Sequence, residues 1–260
     1  MSWAENFAAM AFDLETDGPD PDDARIITSA AISVGGSRKT EPATFVLKPT
    51  RDIPQGAADI HGYTTERAEA EGTDPAEAIN LIAGELVMAM IRDIPVVAYN
   101  AVYDMSVLTR ELERHNLPSL TERLDGKPML VLCPLVMDKA CDKFRRGSRR
   151  LLDTAKHYAI DLAEADAHDS TADALTAARV AWRISQLATQ PKVRSAFGCK
   201  PEVAEKYAAL GGLSIHAMQD WQQNQAAEQA KSLKAYFVKA GKKSEAASVT
   251  PDWPIRVVKP

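Results

Sequence analysis

Cysteine, long apolar runs and positive charge are all in short supply in this 260-residue chain, and each shortage removes a class of protein. Cys133, Cys141 and Cys199 are odd in number and contain no CxxC pair, which argues against a disulfide framework and against a zinc site. A reducing cytoplasm is the expected setting. No apolar run approaches the ~20 residues of a membrane span. The N-terminus shows no basic segment leading into an apolar one, so no secretory signal and no membrane association are expected. Lysine and arginine number 31 against 36 aspartates and glutamates, a net charge of -5. That excludes attraction to nucleic acid through overall charge but leaves room for a local basic patch. The 45% hydrophobic content is enough for one sizeable α/β domain with an appendage.

What the chain does contain centres on Met10 to Pro19, MAFDLETDGP. Asp13 and Glu15 close the apolar run NFAAMAF, which reads as a strand. With side chains alternating at period two, the two carboxylates share one face and Leu14 takes the other. Two readings stand at this point. The pair is half of a site for a hard divalent cation such as Mg²⁺ or Mn²⁺, or Asp13, Glu15, Asp17 and Gly18 form a polar turn after a strand.

Around that stretch the pattern is of a sheet. Arg25 to Val34 predicts a second strand, Gly35-Gly36 a hairpin turn and Ala43 to Leu47 a third strand, together an antiparallel meander. The intervening DGPDPDDA lacks the spacing of a calcium loop and reads as a solvated turn. PQGAADIHG gives a short helical turn ending at His61-Gly62. Thr73 or Asp74 then caps a helix with Pro75 in its first turn and Leu81, Ile82, Leu86, Met90 and Ile91 as its apolar face. Pro95 to Tyr99 predicts a short buried strand, followed by a helix beginning at Asp104 with Val107, Leu108 and Leu112 inward. Asp104 is either a plain cap or a carboxylate meeting the first strand, since ligands gather at strand ends in open α/β sheets. Met129 to Leu132 reads as a fifth strand. After it come Lys139, Lys143, Arg145, Arg146, Arg149 and Arg150, set against only Asp138 and Asp142. This is a solvated face or a rim that touches phosphates.

In DAHDSTADALTAA, an Asp169 cap would make His168 the residue before the cap and Asp173 the fourth helical residue. Those positions are neighbours in the hydrophobic-staple geometry. Beyond about residue 188, Ser214 caps a long helix through Ile215, Met218, Trp221, Ala226, Ala230, Leu233 and Phe237. Lysines from Lys231 to Lys243 gather at its end, and PDWPIRVVKP reads as an extended tail.

DLET, YNAVYD and HDSTAD, in that order, resemble the three motifs of the DEDDh 3'-5' exonucleases, the group of the proofreading epsilon subunit, oligoribonuclease and RNase T. The sister group carries tyrosine four residues before the last aspartate, where this chain has Asp169. The resemblance covers residues 7 to 188 and implies a ribonuclease H-like α/β fold, a mixed five-stranded sheet flanked by helices. It divides the chain into an exonuclease domain over 1–188 and a helical extension over 189–260. It further implies that Asp13, Glu15, Asp104 and Asp173 ligate two Mg²⁺ or Mn²⁺ ions, with Asp13 bridging. His168 would be the general base. Leu14, Thr16, His61, Gly62, Asn100 and Tyr103 match substrate-binding positions. The implied partner is a nucleic acid with a free 3' end, DNA with RNA as the alternative. Arg145, Arg146, Arg149 and Arg150 are candidate phosphate contacts. The extension either completes the core, docks a polymerase or another replication or repair protein, or guides single strands through the lysines from Lys231 to Lys243.

Overall fold

In a computed structural model, which describes residues 2–36, 42–160 and 169–257, five strands form one mixed sheet. They are β1 (Ala8–Thr16), β2 (Ile26–Gly35), β3 (Pro42–Val46), β4 (Val96–Val97) and β5 (Val131–Leu132), in the order β3-β2-β1-β4-β5. β1, β2 and β3 pair antiparallel, as the meander predicts, while β4 and β5 run parallel to β1. The helices are α1 (Gln55–His61), α2 (Thr65–Glu71), α3 (Pro75–Ile91), α4 (Val102–Arg114), α5 (Leu120–Leu124), α6 (Pro134–Cys141), α7 (Leu151–His157), α8 (Ser170–Thr189), α9 (Pro191–Ala196), α10 (Pro201–Leu210), α11 (Ile215–Lys239) and α12 (Lys243–Ser248). Among the described residues no helix is long and apolar enough to cross a membrane.

The period-two alternation of β1 sorts its side chains between two cores. Met10, Phe12 and Leu14 join α3, α4 and α5 on one face, and Ala9 and Ala11 join α6, α7, α8 and α10 on the other. Small residues line the second contact on both sides. Ala9, Ala11 and Ala30 on the sheet face Ala174, Ala177, Ala178 and Ala181 on α8. Side-chain size sets how closely elements pack, so α8 lies tightly against the strand that carries Asp13 and Glu15.

The extension packs into the same cores. Met218 of α11 is fully buried beside β1 and α8 residues, and Trp253 of the tail joins the opposite cluster. α11 also covers the outer edge of the sheet. Gln219 Oε1 accepts from Val131 N–H at 2.9 Å. Gln222, fully buried, accepts from Cys133 N–H at 2.7 Å and donates to Val131 C=O at 2.8 Å. Two glutamines one helical turn apart thus replace a sixth strand and close an edge that would otherwise offer itself for pairing.

Four expectations are corrected. The acidic turn DGPDPDDA is not simply solvated: Asp17 is only 4% exposed and accepts from the Arg51 guanidinium and from Arg25 N–H, while Asp22 meets Arg110 and Asp23 meets Arg51. Arg51 and Arg110 arrive from distant segments, which spacing within the turn does not reveal. Leu81 is 47% exposed. The buried face of α3 is Ala78, Ile79, Ile82, Ala83, Leu86, Val87, Ala89 and Met90, a set that leaves out Leu81. α4 begins at Val102, so Asp104 is an internal residue of its first turn and not a cap. Leu233, near the end of α11, is 45% exposed and so leaves the apolar stripe expected of that helix. Asp74 caps α3, Asp169 caps α8 and Ser214 caps α11, as expected.

Candidate active site

The carboxylates of Asp13 and Glu15 leave the α8 face of β1 where that strand ends, next to a register shift between Glu15 and Thr16. Such irregularities re-aim side chains at strand ends. Asp169, capping α8 by accepting from Thr171 N–H at 2.8 Å, fixes where the helix starts and therefore where Asp173 points. Asp13, Glu15 and Asp173 offer carboxylate oxygens within 4.8 Å of one another. Asp104, 3% exposed, approaches from α4, and its Oδ1 accepts from the Leu14 N–H at 3.2 Å. The backbone between the two β1 carboxylates is thereby tied to the fourth carboxylate.

Crowding four carboxylates has an electrostatic cost. Burial, and then the neighbouring Asp104, Glu15 and Asp173, raise Asp13 well above its ordinary value. Burial followed by Asp173 and Asp104 pushes Glu15 from 4.5 to about 8. Burial pushes Asp104 up to about 7, opposed by backbone hydrogen bonds, including that from Leu14. Both effects penalise the charged form. A hard divalent cation reverses them, and an all-oxygen donor set suits Mg²⁺ or Mn²⁺ better than softer metals. The residues present therefore fit such a cation.

A sign follows for the cation-free protein. Glu15 holds its proton more tightly folded than unfolded, so its contribution to stability is fully present below about pH 4.5 and is lost as pH rises through about 8. In EDTA the thermal midpoint should fall across that window, and saturating Mg²⁺ should remove most of the fall. A midpoint that is flat from pH 5 to 8 in EDTA, or a slope unaltered by Glu15→Gln, would contradict this.

Glu15 also lines a cleft of about 580 Å³ walled by Thr28, Ser29, Phe45, His61, Gly62, Tyr63 and Ser170. Gly62 takes the left-handed conformation that ends α1, with φ 77°. That turn presents His61, which is mostly buried and whose Nδ1 accepts from Tyr63 N–H at 3.2 Å. Burial lowers the His61 pKa, opposed by interactions with Thr16 and Asp17, which favours the neutral ring. Thr28 and Ser29 were not anticipated. They read as ordinary strand residues, and only the register Glu15↔Thr28 places them here.

The other expected substrate positions are distributed. The Leu14 side chain turns into the core. The Thr16 and Tyr103 hydroxyls meet at 2.5 Å beside the Gly18 carbonyl, to which Tyr103 donates, and burial pushes Tyr103 up to about 12. Asn100, exposed at the end of β4 with φ 60°, borders a second cleft. His168 lies outside the described residues. Of the four arginines, two point inward. Arg145 Nε and Nη2 donate to the fully buried Asp138 at 3.0 and 2.9 Å, and Arg149 donates to the same carboxylate. Arg146 and Arg150 stay exposed.

Comparison with known proteins identifies the family and the fold. The sequence profile of the RNase T family, described as an exonuclease family, matches residues 10–181, more than half of the chain. Curated proteins provide no significant match. Similar solved structures include E. coli exonuclease I in complex with a dA16 oligonucleotide, at TM-score 0.57 and 22% identity over 73% of this chain and 42% of that one. The zinc-bound E. coli exonuclease I–ssDNA complex reaches TM-score 0.60 and 23% identity over 73% and 42%. Exonuclease I from Methylocaldum szegediense reaches TM-score 0.57 and 24% identity over 74% and 43%. The chain thus spans less than half the length of these proteins. Its sheet order and flanking helices are those of the ribonuclease H-like exonuclease fold. With its acidic cluster inside the matched region, the chain belongs to the RNase T exonuclease family and to the DEDDh type that its three motifs mark.

Proposed function

We propose that the chain is a divalent-cation-dependent 3'-5' exonuclease releasing nucleoside monophosphates from the 3' end of DNA, with single strands preferred. The observation that carries the reading is the convergence of Asp13, Glu15 and Asp173 within 4.8 Å beside the His61 cleft. An exonuclease I crystallised with a dA16 oligonucleotide shares the fold, which supports DNA as substrate. Asp13, Glu15, Asp104 and Asp173 would hold two Mg²⁺ or Mn²⁺ ions. When bound, such a pair neutralises charge on both the attacking and the leaving oxygen of an in-line displacement. Thr16, His61 and Gly62 border the terminal nucleotide, and Asn100 and Tyr103 lie toward the scissile phosphate. We read residues 1–188 as the catalytic unit and 189–260 as its extension. A module that only binds would have no need to keep mutually repelling carboxylates together.

His168, immediately before the Asp169 cap, takes the proton of the attacking water in this reading. His168→Ala should lower kcat by roughly 10² to 10⁴, the usual worth of a positioned general base, with cation affinity little changed. The native rate should rise through one ionisation between about pH 6 and 8 and lose that step in the variant. An unaltered pH profile would remove histidine from the mechanism.

The reading is tested with labelled single-stranded DNA, duplex DNA and short RNA, each in Mg²⁺, Mn²⁺ or EDTA. Single-stranded DNA should be degraded fastest, in cation only. Faster turnover of RNA would move the assignment to the exoribonucleases of the same family, because a pocket's treatment of the 2'-hydroxyl decides between them.

A further inference from the structure

We propose that the cleft between α6, α11 and the tail is a second nucleic-acid site, which holds the upstream nucleotides of a strand whose 3' end lies at the carboxylates. This rests on the exonuclease reading. The cleft has a volume of about 780 Å³, within the range of about 300–1,000 Å³ that bound small molecules occupy, and thus offers room for a short run of nucleotides.

Three observations point to this occupant. The first is position. β1, β4 and β5 are parallel, so their carboxyl ends lie along one edge of the sheet. β1 delivers Asp13 and Glu15 there. Asn100 follows β4 and Cys133 follows β5, and both line the cleft. The His61 cleft lies on the β2–β3 side of the carboxylates and this one on the β4–β5 side, so a strand crossing the carboxylates from the first runs into the second. The second observation is charge. In a chain of net charge -5, this cleft is bordered by Lys139, Lys143, Arg149 and Lys206 against Glu228 and Asp252. Arg149 is committed to Asp138, whereas no ion pair engages the three lysines among the described residues. The third is the wall, where half-buried Phe237 brings an aromatic ring into the same cleft as those cations and buried Trp253 backs it. Cationic grooves interleaved with aromatic rings are what single strands bind without sequence preference.

The test uses the full chain in Ca²⁺, to block turnover, with oligodeoxynucleotides of two to twelve residues. Affinity in the native protein should climb with length over the first several nucleotides and then level. Lys143→Glu with Lys206→Glu, both exposed positions, should weaken binding of the twelve-mer by about tenfold or more and lower the salt slope by about 0.7 per lost phosphate contact. Phe237→Ala should weaken it with the slope unchanged. Lys234→Glu with Lys243→Glu, outside the cleft, serves as the control and should bind as the native chain does. In Mg²⁺, hydrolysis of a dinucleotide, which places a single nucleoside beyond the scissile phosphate and so meets the cleft only at its Asn100 edge, provides the internal reference, and the long strand should show a raised KM at constant kcat. Binding of the twelve-mer by the Lys143/Lys206 variant equal to that of the native chain overturns the proposal. So does an equal loss on dinucleotide and twelve-mer, which would place the damage at the carboxylates. A native enzyme that hydrolyses no strand would instead remove the exonuclease reading, since the binding series decides the cleft by itself.

Discussion

Asp13→Asn, Glu15→Gln and Asp173→Asn should each reduce nucleotide release by at least about 10³-fold while leaving the cation-free protein as stable as the native one or more so. The two halves of this result have one cause. The cluster places three carboxylates within 4.8 Å, with Asp104 buried beside them. Its charge repels itself when no cation is present and holds the cation when one is. A cation that stabilises charge in the transition state contributes several kcal/mol, and about 4 kcal/mol is a factor of 10³ in rate. Removing one charge therefore costs turnover and relieves repulsion together. Asp104→Asn should behave in the same way for turnover, because an amide oxygen still accepts from Leu14 N–H and only the charge is lost. Circular dichroism melts in EDTA and single-turnover rates in saturating Mg²⁺ measure the two halves. Near-native turnover in any of the four variants would break the ligand set.

The largest effect on stability is expected at a buried ion-pair cluster outside the carboxylate set. Asp138 is completely buried on α6 and accepts from Arg145, Arg149 and the Tyr158 hydroxyl, the last at 3.0 Å. Tyr158 in turn meets the Tyr207 hydroxyl at 2.8 Å, linking α7 to α10 of the extension. Asp138→Ala should cost about 3–5 kcal/mol, because it leaves two guanidinium groups against a buried wall with no carboxylate between them. Arg146→Ala and Arg150→Ala, at exposed positions of the same run, should fall within about 0.5 kcal/mol of the native protein. Urea denaturation of the three variants decides this. A small loss in Asp138→Ala would show that water or a neighbouring group compensates the arginines.

The arginine run marks the limit of what sequence alone carries here. A cluster of basic residues reads the same whether its partner is solvent, phosphate or a single aspartate, and Asp138 looks like one more surface charge seven residues before Arg145. The acidic turn fails for the mirror-image reason: Arg51 and Arg110 are too far away in sequence to be assigned to Asp17 and Asp22. Local periodicities do better. Alternation along β1 places Asp13 and Glu15 on one face, and counting from the Asp169 cap places Asp173 on the first turn of α8; these two facts require no long-range knowledge. Asp104 was legible as a carboxylate near a strand end, but its tie to Leu14 rests on how α4 crosses β1. Gln219 and Gln222 are more opaque still. On an amphipathic helix they pass for polar surface, and only the β5 edge beneath them gives them hydrogen-bonding work. The antiparallel meander and the existence of the two short strands after it are legible because turn residues and apolar runs mark them locally, while the parallel pairing of those two strands comes from the structure; the α3 stripe is misplaced at Leu81, since several neighbouring residues of that helix are apolar.

The most direct test of the account is the product pattern from a single-stranded DNA labelled at its 5' end and incubated with the native chain in Mg²⁺. A ladder shortening one nucleotide at a time from the 3' end, with release of nucleoside monophosphates, arrest by EDTA and none of these products from Asp13→Asn, is the predicted result. Internal cuts, shortening that persists in EDTA, or an Asp13→Asn variant that yields the same ladder at the native rate would contradict it.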